Sequence, residues 1–179
     1  MDLSLSFLAH SRHYLRTEYP TKLRAAVESL PAGALWWRAN ETSNSVGNLI
    51  LHLTGNVRQW IVSGVGGAPS TRDRASEFSA RDGDAAALLA DLDRALDEVD
   101  ATLARLTPAD LIATRSIQGR DVTVIDAVYH VVEHFSLHLG QIIFVAKLHS
   151  PGAVKFYEDA GGLARPLWPD LVRRPVTDA

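Results

Sequence analysis

The chain has 179 residues, 46% of them hydrophobic and 22% charged, with only 12 glycines and 8 prolines, the composition of an ordinary soluble globular protein able to bury a substantial core without staples. Cysteine is absent, which excludes disulfides, thiolate metal sites and a cysteine nucleophile together. A net charge of −3, with fifteen arginines but three lysines and no basic block, gives no electrostatic footprint for nucleic acid.

In chain order the pattern is helical, and strand-like alternation is scarce. The N-terminus, "MDLSLSFLAHSRHYLRTEY", is too polar for a signal peptide, and no apolar run approaches membrane-spanning length. A cytoplasmic protein that engages no membrane is the expectation. The first helical region runs from about Leu3 to Leu30 and should bend or break at Pro20, which has no amide to donate. "PAGALWWRANETSNS" reads as a loop ending in Asn44 and Ser45, both good caps. A second helix spans roughly Val46 to Ser63 and stops at "GVGGAPS".

A polar connection, "TRDRASEFSARDGD", follows, then a third helix from about Ala85 to Leu106, rich in strong helix formers and ended by Thr107-Pro108. The fourth helix opens with Thr123 and Asp126 in capping-box spacing and continues to about His149. The tail should wrap the helices as irregular chain, with Trp168 and Leu171 as anchors. No internal repeat is visible. The expected fold is all-α: one domain over residues 1–179, an antiparallel four-helix bundle over about 1–150, and a tail over 151–179.

Chemistry concentrates in "YHVVEHFSLHLGQI", where His130, His134 and His138 recur every four residues. Histidines four apart on a helix stack on one face, so two of them can hold one ion. His130 and His138 are separated by about 12 Å along the axis and cannot share it. The apolar face, centred on Val124, Val128, Val131, Phe135, Leu139, Ile142 and Ala146, lies closest to His138, with His134 on its flank and His130 furthest out. The His134–His138 pair is therefore better placed to face inward.

A catalytic ion usually has three protein ligands and an open position. His10, His13, His52 and His149 remain. His10 and His13 fall on an amphipathic helix and read as surface residues. His52 shares a polar stripe with Asn48, Asn56 and Gln59, which either meets solvent or lines a polar cavity and lets His52 reach an ion. "HVVEH" also matches the H-x-x-E-H zinc-protease signature, with His130 and His134 as ligands and Glu133 as base. Those enzymes need a carboxylate ligand well downstream, and only 41 residues follow His138.

Taken together, "SNSVGNLILHLTGNVRQW", "RDRASEF" and "EHFSLHLGQIIFVAKL" resemble the DinB-like (YfiT-like) superfamily of metal-binding four-helix bundles, over most of residues 1 to about 150. The resemblance implies a three-histidine metal site at His52, His134 and His138. His130 is outside the shared motif and stands either beside the ligands or at the surface, while by helical spacing Gln141, seven residues after His134, and Asn56, one turn after His52, could orient those imidazoles or meet a ligand. The resemblance also implies a possible homodimer, and relatives that use low-molecular-weight thiols as transferases or isomerases, or that are described as metal-dependent hydrolases.

Neutral imidazoles leave a divalent ion's charge uncompensated, so a bound water or thiol loses its proton readily. Zinc and nickel both suit such a site. Glu133 points about 100° away from His134, and no carboxylate is apparent on the histidine face. The expected function is therefore metal-dependent transfer or addition of a small thiol to an electrophilic small molecule, in detoxification or stress response. The alternatives are hydrolysis by metal-bound hydroxide and a metal- or ligand-binding bundle without turnover. Arg72, Asp73, Arg74 and Glu77 are expected to pin the loop after the second helix, with Phe78 buried. Trp36 and Trp37 are expected to be anchors rather than ligand stackers.

Overall fold

A computed structural model describes residues 2–167, which are mostly helical. Helix α1 (Leu3–His13) is capped by the Asp2 carboxylate, which accepts from the amides of Ser4 and Leu5. It passes through a π-helical turn, Tyr14–Glu18, into α2 (Tyr19–Glu28). Pro20 therefore does not break the first helical region. A proline ring crowds the carbonyl four residues back and removes one hydrogen bond. The wider turn just upstream, closed by the Tyr19 amide on Tyr14 O, absorbs that mismatch.

Helix α3 (Val46–Val57) starts at a reciprocal capping box between Ser45 and Asn48, and continues as π-helical Arg58–Val65. Two elements stand where loops were expected. "RDRASEF" contains α4 (Arg74–Ser79), whose first amides are held by Asp73. After α5 (Ala85–Leu103) and the short α6 (Pro108–Leu111), strand β1 (Thr114–Ile117) pairs antiparallel with β2 (Arg120–Thr123). Gln118 and Gly119 turn this hairpin with φ of 53° and 74°, both left-handed, as a two-residue I′ turn requires.

Helix α7 (Val124–His149) begins at the expected Thr123–Asp126 capping box. Beyond it, β3 (Tyr157–Asp159) pairs with β4 (Ala164–Pro166), so the described part of the tail carries an exposed hairpin rather than irregular chain alone. Trp168 and Leu171 lie outside the described residues.

One hydrophobic cluster joins α1, α2, α3, α5 and α7, with Leu15, Leu23, Leu53, Leu96, Phe135 and Ile142 fully buried. Phe135 stacks on Tyr19 at 5.5 Å between ring centroids. Ion pairs Arg12–Asp100, Arg16–Asp97 and Arg24–Asp93 tie the first two helices to α5 in descending order along that helix. They are partly exposed, so each contributes about 1 kcal/mol or less. Contrary to expectation, α7 is long and apolar enough, by length and composition, to cross a membrane. Its apolar face, from Val124 through Phe135 to Ala146, is buried against the other helices.

The loop before α3 is pinned by Trp36, which lays its indole over Gly47 and donates its N–H to Gly83 O at 2.9 Å. Trp36 is the anchor expected of it, whereas Trp37 is 39% exposed and meets the His149 ring edge-on. A Cβ on Gly47 would stand 2.6 Å from the Trp36 ring. Gly47→Ala should therefore displace the indole and lower unfolding stability by about 1–3 kcal/mol. The check is the urea midpoint at constant slope; an unshifted midpoint would mean the ring moves aside freely.

Candidate metal centre

Helix α3 supplies His52, and α7 supplies His134 and His138 one turn apart. One ring nitrogen from each lies within 4.8 Å of the others. The Nε2 atoms of His52 and His134 are 2.9 Å apart. Three of the four members of the polar stripe are turned away from solvent: Asn48, His52 and Asn56 are 0%, 5% and 4% exposed, and only Gln59 is partly exposed. The stripe faces the interior because α4 closes over it. Asn48 Nδ2 donates to the carbonyls of Glu77 and Ala80, both at 2.9 Å, which fastens α4 to α3.

That fastening delivers Glu77 to His52. Glu77 Oε2 lies 2.9 Å from His52 Nδ1, and Arg72 donates to both carboxylate oxygens, Nε to Oε1 at 2.6 Å and Nη2 to Oε2 at 2.8 Å. Arg72 Nη2 is also 3.1 Å from His52 Nδ1. The carboxylate can only accept, so a bare Nδ1 would set two lone pairs against each other. The imidazole proton therefore sits on Nδ1, which donates to Glu77, and the Nε2 lone pair faces the other histidines. Gln59 extends the network: its Oε1 accepts from Arg72 Nη1 at 2.7 Å and from Gln118 Nε2 at the hairpin turn.

Gly55, the glycine of "HLTGN", makes room for this arrangement. A Cβ there would fall 2.1 Å from Glu77 Oε1 and 2.8 Å from Arg72 Nε. On α7, Gln141 Oε1 lies 2.8 Å from His138 Nδ1. With the amide oxygen accepting, His138 too carries its proton on Nδ1 and offers Nε2. Gln141, expected from the sequence to orient an imidazole or meet a ligand, is thus in hydrogen-bond contact with His138.

Electrostatics favour neutral imidazoles. Burial, and then the nearness of His138 and His52, lowers His134 to about 3. Burial also lowers His138, against the opposing hydrogen bond to Gln141, and lowers His130. Glu77 feels burial as its largest influence, which raises it, yet the hydrogen bonds from Arg72 and His52 hold it below the ordinary carboxylate range.

The other expected residues are placed differently. His130 stacks between Trp60, at 4.1 Å, and His134, at 5.3 Å between centroids, and is not in the converging group. Asn56 is buried beside the site, but its Oδ1 has no hydrogen-bond partner among the described residues. Glu133 is exposed. The H-x-x-E-H reading thus receives neither His130 nor Glu133 at the centre. Phe78 is only half-buried, with its ring 4.8 Å from that of His52 and the Arg74 guanidinium 4.9 Å over it. The carboxylate of the site, Glu77, was the residue that sequence spacing missed, because no helix was expected over "RDRASEF".

The donor set fits a divalent ion of the zinc or nickel type. Nitrogens bound to one such ion at about 2.0–2.1 Å stand about 3 Å apart or slightly more. The 2.9 Å between the Nε2 atoms of His52 and His134 suits one N–H···N hydrogen bond without an ion, and is close to the spacing of two nitrogens on one cation with it. Each of His52 and His138 has an acceptor at Nδ1 that fixes its tautomer.

Residues 2–156 match the family described as a protein of unknown function (DUF1572). No curated protein matches the chain. Among solved structures, it is similar to the crystal structure of a DinB-like protein, YjoA, from Bacillus subtilis, at 18% identity and a TM-score of 0.61, over 87% of this chain and 99% of that one. At that identity the likeness is one of fold, and it agrees with the resemblance to the DinB-like superfamily.

Two measurements test the centre. His138→Ala should abolish stoichiometric zinc or nickel in the purified protein, while His130→Ala keeps it. The reverse outcome would restore the H-x-x-E-H assignment. Glu77→Gln should weaken metal affinity about 10–100-fold by chelator competition, through loss of the charge that orients His52. Unchanged affinity would confine Glu77 to pinning α4.

Proposed function

This chain belongs to the DUF1572 family and has the fold of a DinB-like protein, and on that premise we propose that it is a metal-dependent enzyme that transfers or adds a small thiol to an electrophilic substrate. In this reading the helices form an antiparallel four-helix bundle as one domain, in a cytoplasmic protein that engages neither nucleic acid nor membrane and is able to form a homodimer. His52, His134 and His138 hold zinc or nickel, and a low-molecular-weight thiol is the second substrate. The observation that carries the proposal is the convergence of three imidazoles, from two helices, with one ring nitrogen of each within 4.8 Å of the others.

The ion, when bound, supplies Lewis-acid charge that favours the deprotonated form of a thiol or a water. The chain's own part is to keep that charge undiminished. No carboxylate is in the donor group, and the one behind His52 is neutralised by Arg72. Both oxygens of Glu77 are occupied, so it is not free to act as a general base. Its role is to hold the proton on His52 Nδ1. In the reaction the thiol proton passes to solvent and the sulfur forms a bond to the electrophilic carbon. The carbon–halogen bond of an alkyl halide then breaks to release halide, or an epoxide carbon–oxygen bond opens and the oxygen takes up a proton.

Hydrolysis is the second reading, because the same uncharged donor set would acidify a water as readily as a thiol. Metal-loaded protein should consume an epoxide or alkyl halide only when a thiol such as a cysteine-containing pseudodisaccharide or glutathione is added, and His134→Ala should lose at least about a hundredfold of that rate. Thiol-independent cleavage of ester or amide probes would transfer the assignment to hydrolysis. Failure of both in metal-replete protein leaves a binding bundle without turnover.

A further inference from the structure

Two cavities flank the metal centre. One, of about 460 Å³, lies on the far side of Glu77 and is lined by Arg58, Arg72, Asp91 and Glu98. These charges already pair with one another or with Glu77. The other, of about 590 Å³, runs between the start of α3 and the C-terminal half of α7, with residues 37–44 along one side. Its walls include Trp37, Leu49, Leu137, Phe144, Val145 and Leu148, and no Asp, Glu, Lys, Arg or His lines it.

The second cavity is tied to the metal centre by one side chain. Gln141 lines it and also holds His138 Nδ1 through its Oε1. Leu49 stands three residues before His52 on α3, as Gln141 stands three after His138 on α7. These lining residues therefore stand within about one helical turn of His52 and His138 along their own helices, a rise of roughly 5 Å. Asn44, Ser43 and Thr42 supply polar atoms on the loop side. Its size falls within the range of small-molecule sites, about 300–1,000 Å³.

The geometry points to this groove as the substrate site, taking the uncharged apolar body of a small electrophile and presenting its reactive end to the centre at His138. The inference rests on the metal-dependent reading above and adds the class of substrate. A charged group laid in the groove would lose its hydration and find no countercharge, so phosphorylated or carboxylated compounds are disfavoured. Trp37 and Phe144 offer aromatic faces to a flat apolar body. The exposure of Phe144, Leu137 and Leu148 (64%, 55% and 55%) is then the exposed wall of a binding groove.

The test uses N-phenyl-1-naphthylamine, a neutral apolar fluorophore, titrated into metal-loaded protein. Gly140 is exposed and a Cβ there meets nothing within 4 Å, so Gly140→Leu fills the groove without backbone strain. Phe144→Glu puts a charge on its exposed wall and serves if the first variant folds poorly. Each should weaken probe binding at least about tenfold with metal content unchanged. In competition, 1-naphthalenemethanol should displace the probe at a concentration at least about tenfold lower than 1-naphthoate. His138→Ala should lose the metal yet still bind the probe, so failure of the metal assignment and failure of the groove are read separately. The proposal is overturned by binding that neither variant alters, by equal competition from the neutral and anionic compounds, or by the absence of probe binding. It is also overturned by sedimentation showing a wild-type dimer that Phe144→Glu dissociates, since a second copy would then cover the groove.

Discussion

The contact between the Glu77 carboxylate, the Arg72 guanidinium and the His52 ring organises this molecule's centre. All three side chains are more than nine-tenths buried, and the pair Arg72–Glu77 closes at 2.6 Å. A buried ion pair is poor evidence of stability, because removing two charges from water offsets most of their attraction. Its use here is in placement. The carboxylate fixes one imidazole tautomer, the guanidinium fixes the carboxylate, and Gln59 joins the guanidinium to the β1–β2 turn. Segments distant in the chain are thereby set around a single ring nitrogen.

Several local features are explained by this contact. Gly55 is an open space filled by Glu77 and Arg72, not a point of flexibility, since it lies inside α3. Asn48 is a buried amide whose four hydrogen bonds link the α3 cap to the backbone of α4. Asp73 begins α4 so that Glu77 lands one turn along it, facing α3. Each is a local solution to a requirement set elsewhere, which is the consistency between levels that a well-specified fold needs.

Much of this was legible in the sequence. Helical periodicity located the four long segments, and the four-residue spacing of His134 and His138 restricted which imidazoles can share an ion. The burial of His52 was not legible, because Asn48, Asn56 and Gln59 on the same stripe are as compatible with solvent as with a polar interior. Only α4, a six-residue helix with little periodic signal, decides between them. The hairpin at Thr114–Thr123 escaped for a similar reason: four-residue strands give two alternations at most, and the Gln118-Gly119 turn lacks the commoner Asn or Asp at its first position. That the chain stays helical through Pro20 was not legible either, because a proline's effect on a helix depends on the turn before it, and a π turn leaves no clear signature in residue type.

Placing the carboxylate behind the histidine rather than at the ion has a chemical consequence. A carboxylate bound directly would cancel part of a divalent ion's charge and weaken its pull on a coordinated proton. Behind His52, and neutralised by Arg72, Glu77 orients the donor while leaving that charge nearly intact. The low basicity of His134 acts in the same direction, since burial and the neighbouring rings keep its lone pair unprotonated across the physiological range. A cation held by these three histidines would therefore keep most of its charge. Such an arrangement suits activation of a weakly acidic nucleophile better than it suits relay of a proton between two carboxylates.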